Sequence, residues 1–308
     1  MTETMEVHGK QIEISHPDKP YFPDDGITKR DLVAYYARIA ETAAPLWQGR
    51  AVTMQRFPDG IGAEGFFHKN APDHFPGWVR RAELPKEGGS VSYVVADHPA
   101  TLAFLATQGT ITPHLSLARV DRPDHPDRMI FDLDPSDRDF GKVRRAARHL
   151  KDLFEALDLT AYVQTTGSRG FHVILPLDRS AGFDRVRALA RRIADRLAAA
   201  EPDSFTTEQR KAGRGDRVFL DTLRNAYGQT GVAPYGVRAK PRAPIATPLD
   251  WDEALGRTGP QDYHMGNIFR RLAQKEDPWR GIAQAGVAAE TVEARLDALG
   301  TEGRDVVG

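Results

Sequence analysis

The residues best suited to do chemistry are Asp132 and Asp134, in the stretch Met129-Ile130-Phe131-Asp132-Leu133-Asp134-Pro135. An extended chain alternates its side chains between faces, so the two aspartates share one face and Phe131 and Leu133 the other. Pro135 has no N–H for the ladder and stops the strand. Two carboxylates side by side repel unless a cation lies between them, and oxygen donors suit a hard divalent ion such as Mg²⁺ or Mn²⁺. An acidic turn that caps the next helix is the plainer alternative for this segment alone. Farther on, Arg217-Val218-Phe219-Leu220-Asp221 reads as another strand with an acid at its end. A third carboxylate beside the first two would complete a two-metal site.

Other stretches offer groups that bind phosphate or bases. Ala161–Thr165 and Phe171–Leu175 read as a hairpin around Thr166-Gly167-Ser168-Arg169-Gly170, with His172 near the start of the returning strand. Such a loop presents N–H groups, hydroxyls and an Arg, and can cradle a phosphate, although an ordinary Gly-containing turn has the same composition. From Thr207 to Arg242, eight basic residues (Arg210, Lys211, Arg214, Arg217, Arg224, Arg238, Lys240, Arg242) face three acids, a local charge of +5. A basic stretch near acidic metal ligands is what a polyphosphate substrate needs; a solvated loop is the commoner meaning of a charge run. Lys19 and Lys29 flank a helix start, which can hold a phosphate, although solvent-exposed lysines without a ligand are the commoner case. Phe66 and Phe67 lie beside His68 and Lys69, where aromatics could stack a base, although Phe pairs more often belong to a core. His114, alone in a strand, reads first as a structural residue.

The elements that must position these groups follow from periodicity. Thr28-Lys29-Arg30-Asp31 is a capping-box-like start to a helix carrying Leu32, Val33, Tyr36, Ile39 and Ala40 on one face, with Pro45 expected to end it. Strands are expected over Ala51–Phe57, Ser90–Val95 and Thr110–Leu117, and a short helix from Asp97-His98-Pro99 through Leu105. Amphipathic helices are expected over Asp139–Leu157 and Phe183–Ala199, and C-terminal helices around Tyr263–Gln274 and Thr291–Leu299. Two helix–strand sets around one sheet indicate an α+β fold.

Composition sets the outer bounds. The 308 residues are 40% hydrophobic and 28% charged, with net charge −1, as in an ordinary globular protein. The absence of cysteine excludes disulfides, thiolate zinc sites and a Cys nucleophile. The Met1–Lys10 stretch has no apolar core of a secretory signal, and no apolar run approaches membrane-spanning length, so no membrane partner is expected.

Phe131-Asp132-Leu133-Asp134-Pro135, Thr166-Gly167-Ser168-Arg169-Gly170-Phe171-His172 and Val218-Phe219-Leu220-Asp221 together resemble three ordered motifs of the archaeo-eukaryotic primase superfamily. The resemblance is closest to the polymerase domain of bacterial DNA ligase D, which works in non-homologous end joining. Asp18-Lys19, Arg56-Phe57-Pro58-Asp59-Gly60, Gly65-Phe66-Phe67-His68-Lys69, Val232-Ala233-Pro234-Tyr235-Gly236-Val237-Arg238-Ala239 and Ala246-Thr247-Pro248-Leu249-Asp250-Trp251 extend it from about His8 to Leu272. It implies a primase-polymerase fold: a central mixed or antiparallel sheet with an RRM-like catalytic core, flanked by helices. It further implies one domain over 1–308, with an N-terminal part to about 110 holding a 5′-phosphate pocket and template contacts, a catalytic core over about 111–275, and an extension over 276–308.

The resemblance also implies roles. Asp132, Asp134 and Asp221 would hold two divalent cations, Mn²⁺ or Mg²⁺. Thr166, Ser168, Arg169 and His172 would bind the incoming NTP or dNTP, with His114, Arg214 and Arg238 around the same nucleotide. Lys19 and Lys29 would hold the 5′-phosphate of gapped or broken DNA, and Phe66 or Phe67 would stack near the template. Where the family commonly reads Ser-Gly-Ser-Lys-Gly, this chain has Thr166 and Arg169; where an Asn is common, it has His16. The implied enzyme is a stand-alone nucleotidyltransferase, a DNA-directed polymerase in repair that fills gaps and accepts ribonucleotides. Ku and a separate DNA ligase are its expected partners, and the cytoplasm, on the nucleoid, its expected location. Two rivals fit less of the chain. A haloacid-dehalogenase-like phosphohydrolase would use Asp132 as nucleophile in Asp132-Leu133-Asp134-Pro135-Ser136 and leave the 166–172 loop and Asp221 without roles. A non-catalytic nucleic-acid-binding module would need the basic and aromatic residues but not three carboxylates.

Overall fold

The computed structural model describes residues 2–137 and 139–302. The end of the expected C-terminal extension, 303–308, lies outside the described residues. The chain forms two compact units, each assembled from separated stretches: Met1–Pro123, Thr230–Thr247 and Gln261–Glu276 in the first, and Asp124–Gln229, Pro248–Pro260 and Asp277–Gly308 in the second.

The second unit is built on a six-stranded sheet ordered Phe205–Thr206, Val218–Asp221, Arg128–Asp134, Phe171–Pro176, Tyr162–Thr165, Pro248–Leu249. Only the first pair is parallel, so the sheet is mixed. One face is apolar. Phe131, Leu133, Phe171 and Val173 are fully buried, and the Phe140–Ala156 helix covers this side, placing Phe154 5.8 Å from the Phe131 ring and Phe140 4.9 Å from the Phe171 ring. Full burial of each such side chain is worth roughly 1.5–3 kcal/mol. That helix starts where Asp139 accepts from the Gly141 N–H. Past its C-terminal end, Arg295 donates to the Leu157 and Asp158 carbonyls, placing a cation where the helix dipole is negative. The tryptophans Trp251 and Trp279 donate to the Ala161 and Val163 carbonyls beside the hairpin.

The first unit contains an antiparallel sheet ordered Thr230–Val232, Thr110–Arg119, Arg50–Arg56, Gly89–Val95, Arg81–Lys86, with Phe66–His68 also paired to Arg50–Arg56. The Lys29–Trp47 helix opens with the expected capping box at Thr28 and Asp31. It runs two residues beyond Pro45, where a break was expected. The missing N–H there costs only the bond to the carbonyl of exposed Glu41, in the last turns.

The α+β class and the helix-flanked mixed sheet hold, and the described residues form two six-stranded and two two-stranded sheets where one central sheet was expected. The expected Tyr263–Gln274 helix shrinks to Ile268–Leu272, because the Asn267 side chain holds the preceding turn through the His264 N–H and Asp262 carbonyl. The Thr2–Val7/Lys10–Ser15 hairpin and the Arg81–Lys86 strand were not foreseen. Among the described residues, no helix is long and apolar enough to cross a membrane.

Candidate active site

The polar face of the second unit's sheet is set by register. Asp132 pairs with His172 on one side and with Asp221 on the other, and His172 pairs with Gln164. Directly paired residues point to the same face. The result is a row of four polar side chains across four strands: Gln164, His172, Asp132, Asp221. Asp134 lies two residues along, on the same face, opposite Phe219.

Asp132 is 4% exposed and His172 3%. Nε2 of His172 lies 3.5 Å from Asp132 Oδ1, and Arg224 Nε donates to Asp132 Oδ2 at 3.0 Å. Gln164 Nε2 lies 3.3 Å from His172 Nδ1, on the far side of the ring from Asp132. Burial pushes the Asp132 carboxyl up, but the charge and hydrogen bonds of His172 and Arg224 outweigh it and hold the group well below the carboxylate range. Asp134 and Asp221 are pushed the other way. Burial raises both, and the Asp132 charge adds to it; the Leu223 N–H, bonded to Asp221 Oδ1 at 2.8 Å, partly opposes the shift there.

This opposition makes a prediction. A carboxyl raised above its ordinary 3.8 in the fold contributes stability below that pH and loses it as the pH climbs through the folded value. In metal-free buffer, Asp134→Asn should therefore melt higher than wild type at pH 7, by about 2–4 °C for a modest gain. The gain should fade toward pH 4. An equal or lower melting temperature at pH 7 would show that Asp134 carries no such repulsion.

The 166–170 loop is tied to its own backbone. Thr166 Oγ1 donates to the Gly170 carbonyl at 3.1 Å and accepts from the Ser168 and Gly170 N–H groups. Arg169 is exposed, its Nη2 3.9 Å from Asp134 Oδ1. Arg214 stacks its guanidinium 3.7 Å from the Phe219 ring centroid and donates to the Glu208 and Gln209 carbonyls. Thus the second unit brings together Asp132, Asp134, Asp221, His172 and Arg169, with Thr166 and Ser168 in the adjoining loop. Its basic side chain on the central carboxylate is Arg224, which sequence reasoning counted only within the basic stretch. Its position three residues beyond Asp221 was the available signal. Gln164 was missed as well, although strand alternation puts it on the face of the paired His172.

The remaining candidates belong to the first unit. His114 is buried in the strand next to Thr53 and Val232, with the exposed Phe67 ring edge-on at 5.5 Å. Phe66 is also exposed, with the Arg56 guanidinium 5.7 Å from its ring centroid. Arg238 donates its N–H to the Pro244 carbonyl. Lys19 pairs with Asp59 at 2.5 Å, and Lys29, 6% exposed, donates to the Ser15 carbonyl and hydroxyl. Burial and the Lys19 charge lower the Lys29 ammonium. A cleft of about 420 Å³ is lined by His16, Pro17, Asp18 and Lys19.

The carboxylates fit a hard dication by donor type: all oxygen, on one face, with two groups raised by burial and by Asp132, the condition that added positive charge relieves. Among the described residues, no three Asp, Glu or His side chains are already closed into a metal cage. A cation bound here would compete with Arg224 and His172 for Asp132.

The model of the LigD primase-polymerase domain family matches residues 28–279. The multifunctional non-homologous end joining protein LigD of Mycolicibacterium smegmatis is 32% identical over 247 residues, 79% of this chain and 32% of that protein. The bifunctional non-homologous end joining protein LigD of Bacillus subtilis is 30% identical over 275 residues, 89% of this chain and 44% of that protein. The chain therefore spans less than half the length of these relatives. Among solved structures, the polymerase domain from Mycobacterium tuberculosis ligase D in complex with DNA matches with a TM-score of 0.83 at 29% identity, covering 89% of this chain and 98% of that one. With the mixed sheet and the carboxylate row in place, the chain belongs to the LigD primase-polymerase domain family of metal-dependent, DNA-directed nucleotidyltransferases.

Proposed function

We propose that this chain adds nucleotides, ribonucleotides among them, to a primer 3′-hydroxyl at gaps and broken ends of DNA, in end-joining repair. The observation that carries this reading is the register that sets Asp132 between His172 and Asp221, with Asp134 beside it. Asp132, Asp134 and Asp221 would hold two divalent ions, Mn²⁺ or Mg²⁺. When bound, these supply charge that activates the hydroxyl and neutralises the departing pyrophosphate. His172 and Arg169 oppose the charge that builds on the triphosphate during transfer, with the loop of Thr166 and Ser168 fixing their positions. Arg214 serves the same nucleotide; His114 and Arg238, in the first unit, are nucleotide-binding residues in this reading. His172 and Arg224 together hold the Asp132 carboxyl down, against its burial. The 1–308 chain acts as one polymerase module, with Ku and a DNA ligase as partners in end joining.

Lys19, Lys29 and the cleft beside His16 suit the 5′-phosphate at the far side of a gap, and Phe66 and Phe67 suit a template base. Lys19→Glu should abolish any preference for a phosphorylated gap, an effect of about tenfold in affinity for one charged contact. Wild type that binds phosphorylated and unphosphorylated gaps equally would remove this role.

The test is extension of a labelled primer across a short gap, with Mn²⁺ or Mg²⁺ and with ribonucleotides or deoxyribonucleotides. Templated, metal-dependent addition is expected. Metal-dependent release of phosphate from a small ester, with no primer extension, would favour the phosphohydrolase reading instead.

A further inference from the structure

The catalytic strand has a gap in its pairing that one side chain fills. Arg128–Asp134 pairs with Val218–Asp221 only over Asp132, Leu133 and Asp134. Beyond Asp221 the chain leaves the ladder in a short 3-10 turn, Leu223–Asn225. At Ile130, two residues before Asp132, no strand among the described residues pairs on that side. The Asn225 carboxamide takes its place. Its Oδ1 accepts from the Ile130 N–H at 2.8 Å, and its Nδ2 donates to the Ile130 carbonyl at 2.7 Å and the Thr222 carbonyl at 2.9 Å. Asn225 is fully buried, and its own N–H donates to the Thr222 carbonyl.

This side chain therefore bonds the catalytic strand and the turn that carries Arg224. Arg224 precedes it directly and reaches Asp132 Oδ2. Asp221 stands at the other end of the same turn, accepting the Leu223 N–H. We infer that Asn225 is a positioning residue for nucleotidyl transfer: it splices the Thr222–Asn225 turn onto the catalytic strand and thereby aims Arg224 at Asp132. The inference rests on the reading of Asp132 as part of the reacting centre. A two-way amide is required. Asp at this position would face two carbonyl oxygens with another acceptor, and Leu would leave Ile130 with neither bond.

The experiment is a double-mutant cycle in primer extension, with wild type, Asn225→Ala, Arg224→Ala and the double variant. Asn225→Ala should lower kcat about tenfold or more while KM for nucleotide and primer moves less than threefold, and should cost less than twofold when Arg224 is already alanine. Losses that multiply in the double variant, or an unchanged kcat, would overturn the inference, since a merely structural residue does not couple to Arg224. If the Asn225 variants do not fold, amide hydrogen exchange in the wild-type chain decides: the Ile130 N–H should be protected like that of Asp132, and rapid exchange at Ile130 would overturn the clamp. Wild type without extension on any primed substrate would instead defeat the polymerase reading, while Ile130 exchange would still report on the clamp.

Discussion

Asp134→Ala should lose nucleotide addition on the order of 10³-fold while its melting temperature in metal-free buffer stays at or above that of wild type. The activity estimate follows because charge stabilisation by a held cation is worth several kcal/mol, and each ~1.4 kcal/mol is a factor of ten in rate. The stability expectation follows from the raised carboxyl: burial and Asp132 already disfavour the charge on Asp134. Asp132→Ala should behave differently. It removes the group that Arg224 and His172 face and leaves a half-buried guanidinium beside vacant space, so it should lose activity and stability together. Activity and melting can be measured on the same preparations. Full activity in Asp134→Ala would take this carboxylate out of the mechanism.

The second large effect is expected at Gly170. A Cβ there would lie 1.9 Å from the Leu133 carbonyl oxygen and 3.0 Å from its carbon, both backbone atoms of the Arg128–Asp134 strand. No rotamer change relieves that contact, so either the loop or the strand must move. Thr166 is bonded through its N–H and hydroxyl to Gly170, and Arg169 is the adjacent residue, so the displacement reaches the whole loop. Gly170→Ala should destabilise the chain by about 3 kcal/mol, the upper end for overpacking. Extension should fall by about 10²-fold, as a misplacement of about 1 Å does at a reacting centre. Thermal melting and primer extension check the two effects. A variant with wild-type melting and wild-type extension would show that the loop does not need this close approach.

Much of the second unit was legible because its signals are local. Alternation put Asp132 and Asp134 on one face and Phe131 and Leu133 on the other, and the Phe140–Ala156 helix covers the apolar side. The helix over Phe183–Ala200 likewise followed from its periodicity. What local signals do not encode is register. That Asp132 has His172 on one side and Asp221 on the other depends on pairings between distant stretches. Arg224 illustrates the limit. In the basic stretch it looks like Arg214 or Arg217, which bond carbonyls, and only the turn after Asp221 sets it on Asp132.

The elements passed over had weaker or ignored signals. Arg81–Lys86 is largely exposed, contains Pro85 and pairs on one side only, so it lacks the apolar alternation of an inner strand. The N-terminal hairpin was readable: Ile12 and Ile14 are buried at alternate positions, and His8-Gly9 forms the turn with both residues at positive φ. Lys29 shows another limit. Its position beside a helix start suggested a surface cation, yet it is buried against Ser15. The path of the preceding hairpin decides that, and nothing within a few residues of Lys29 reveals it.

The most direct test of the central claim is single-nucleotide addition to a primer opposite each of the four template bases, with a divalent ion present and then chelated. Complementary nucleotide should be joined to the 3′-hydroxyl, with one pyrophosphate released per addition, and chelation should stop it. No addition with Mn²⁺ or Mg²⁺ on any template, or addition that continues undiminished after chelation, would contradict the account.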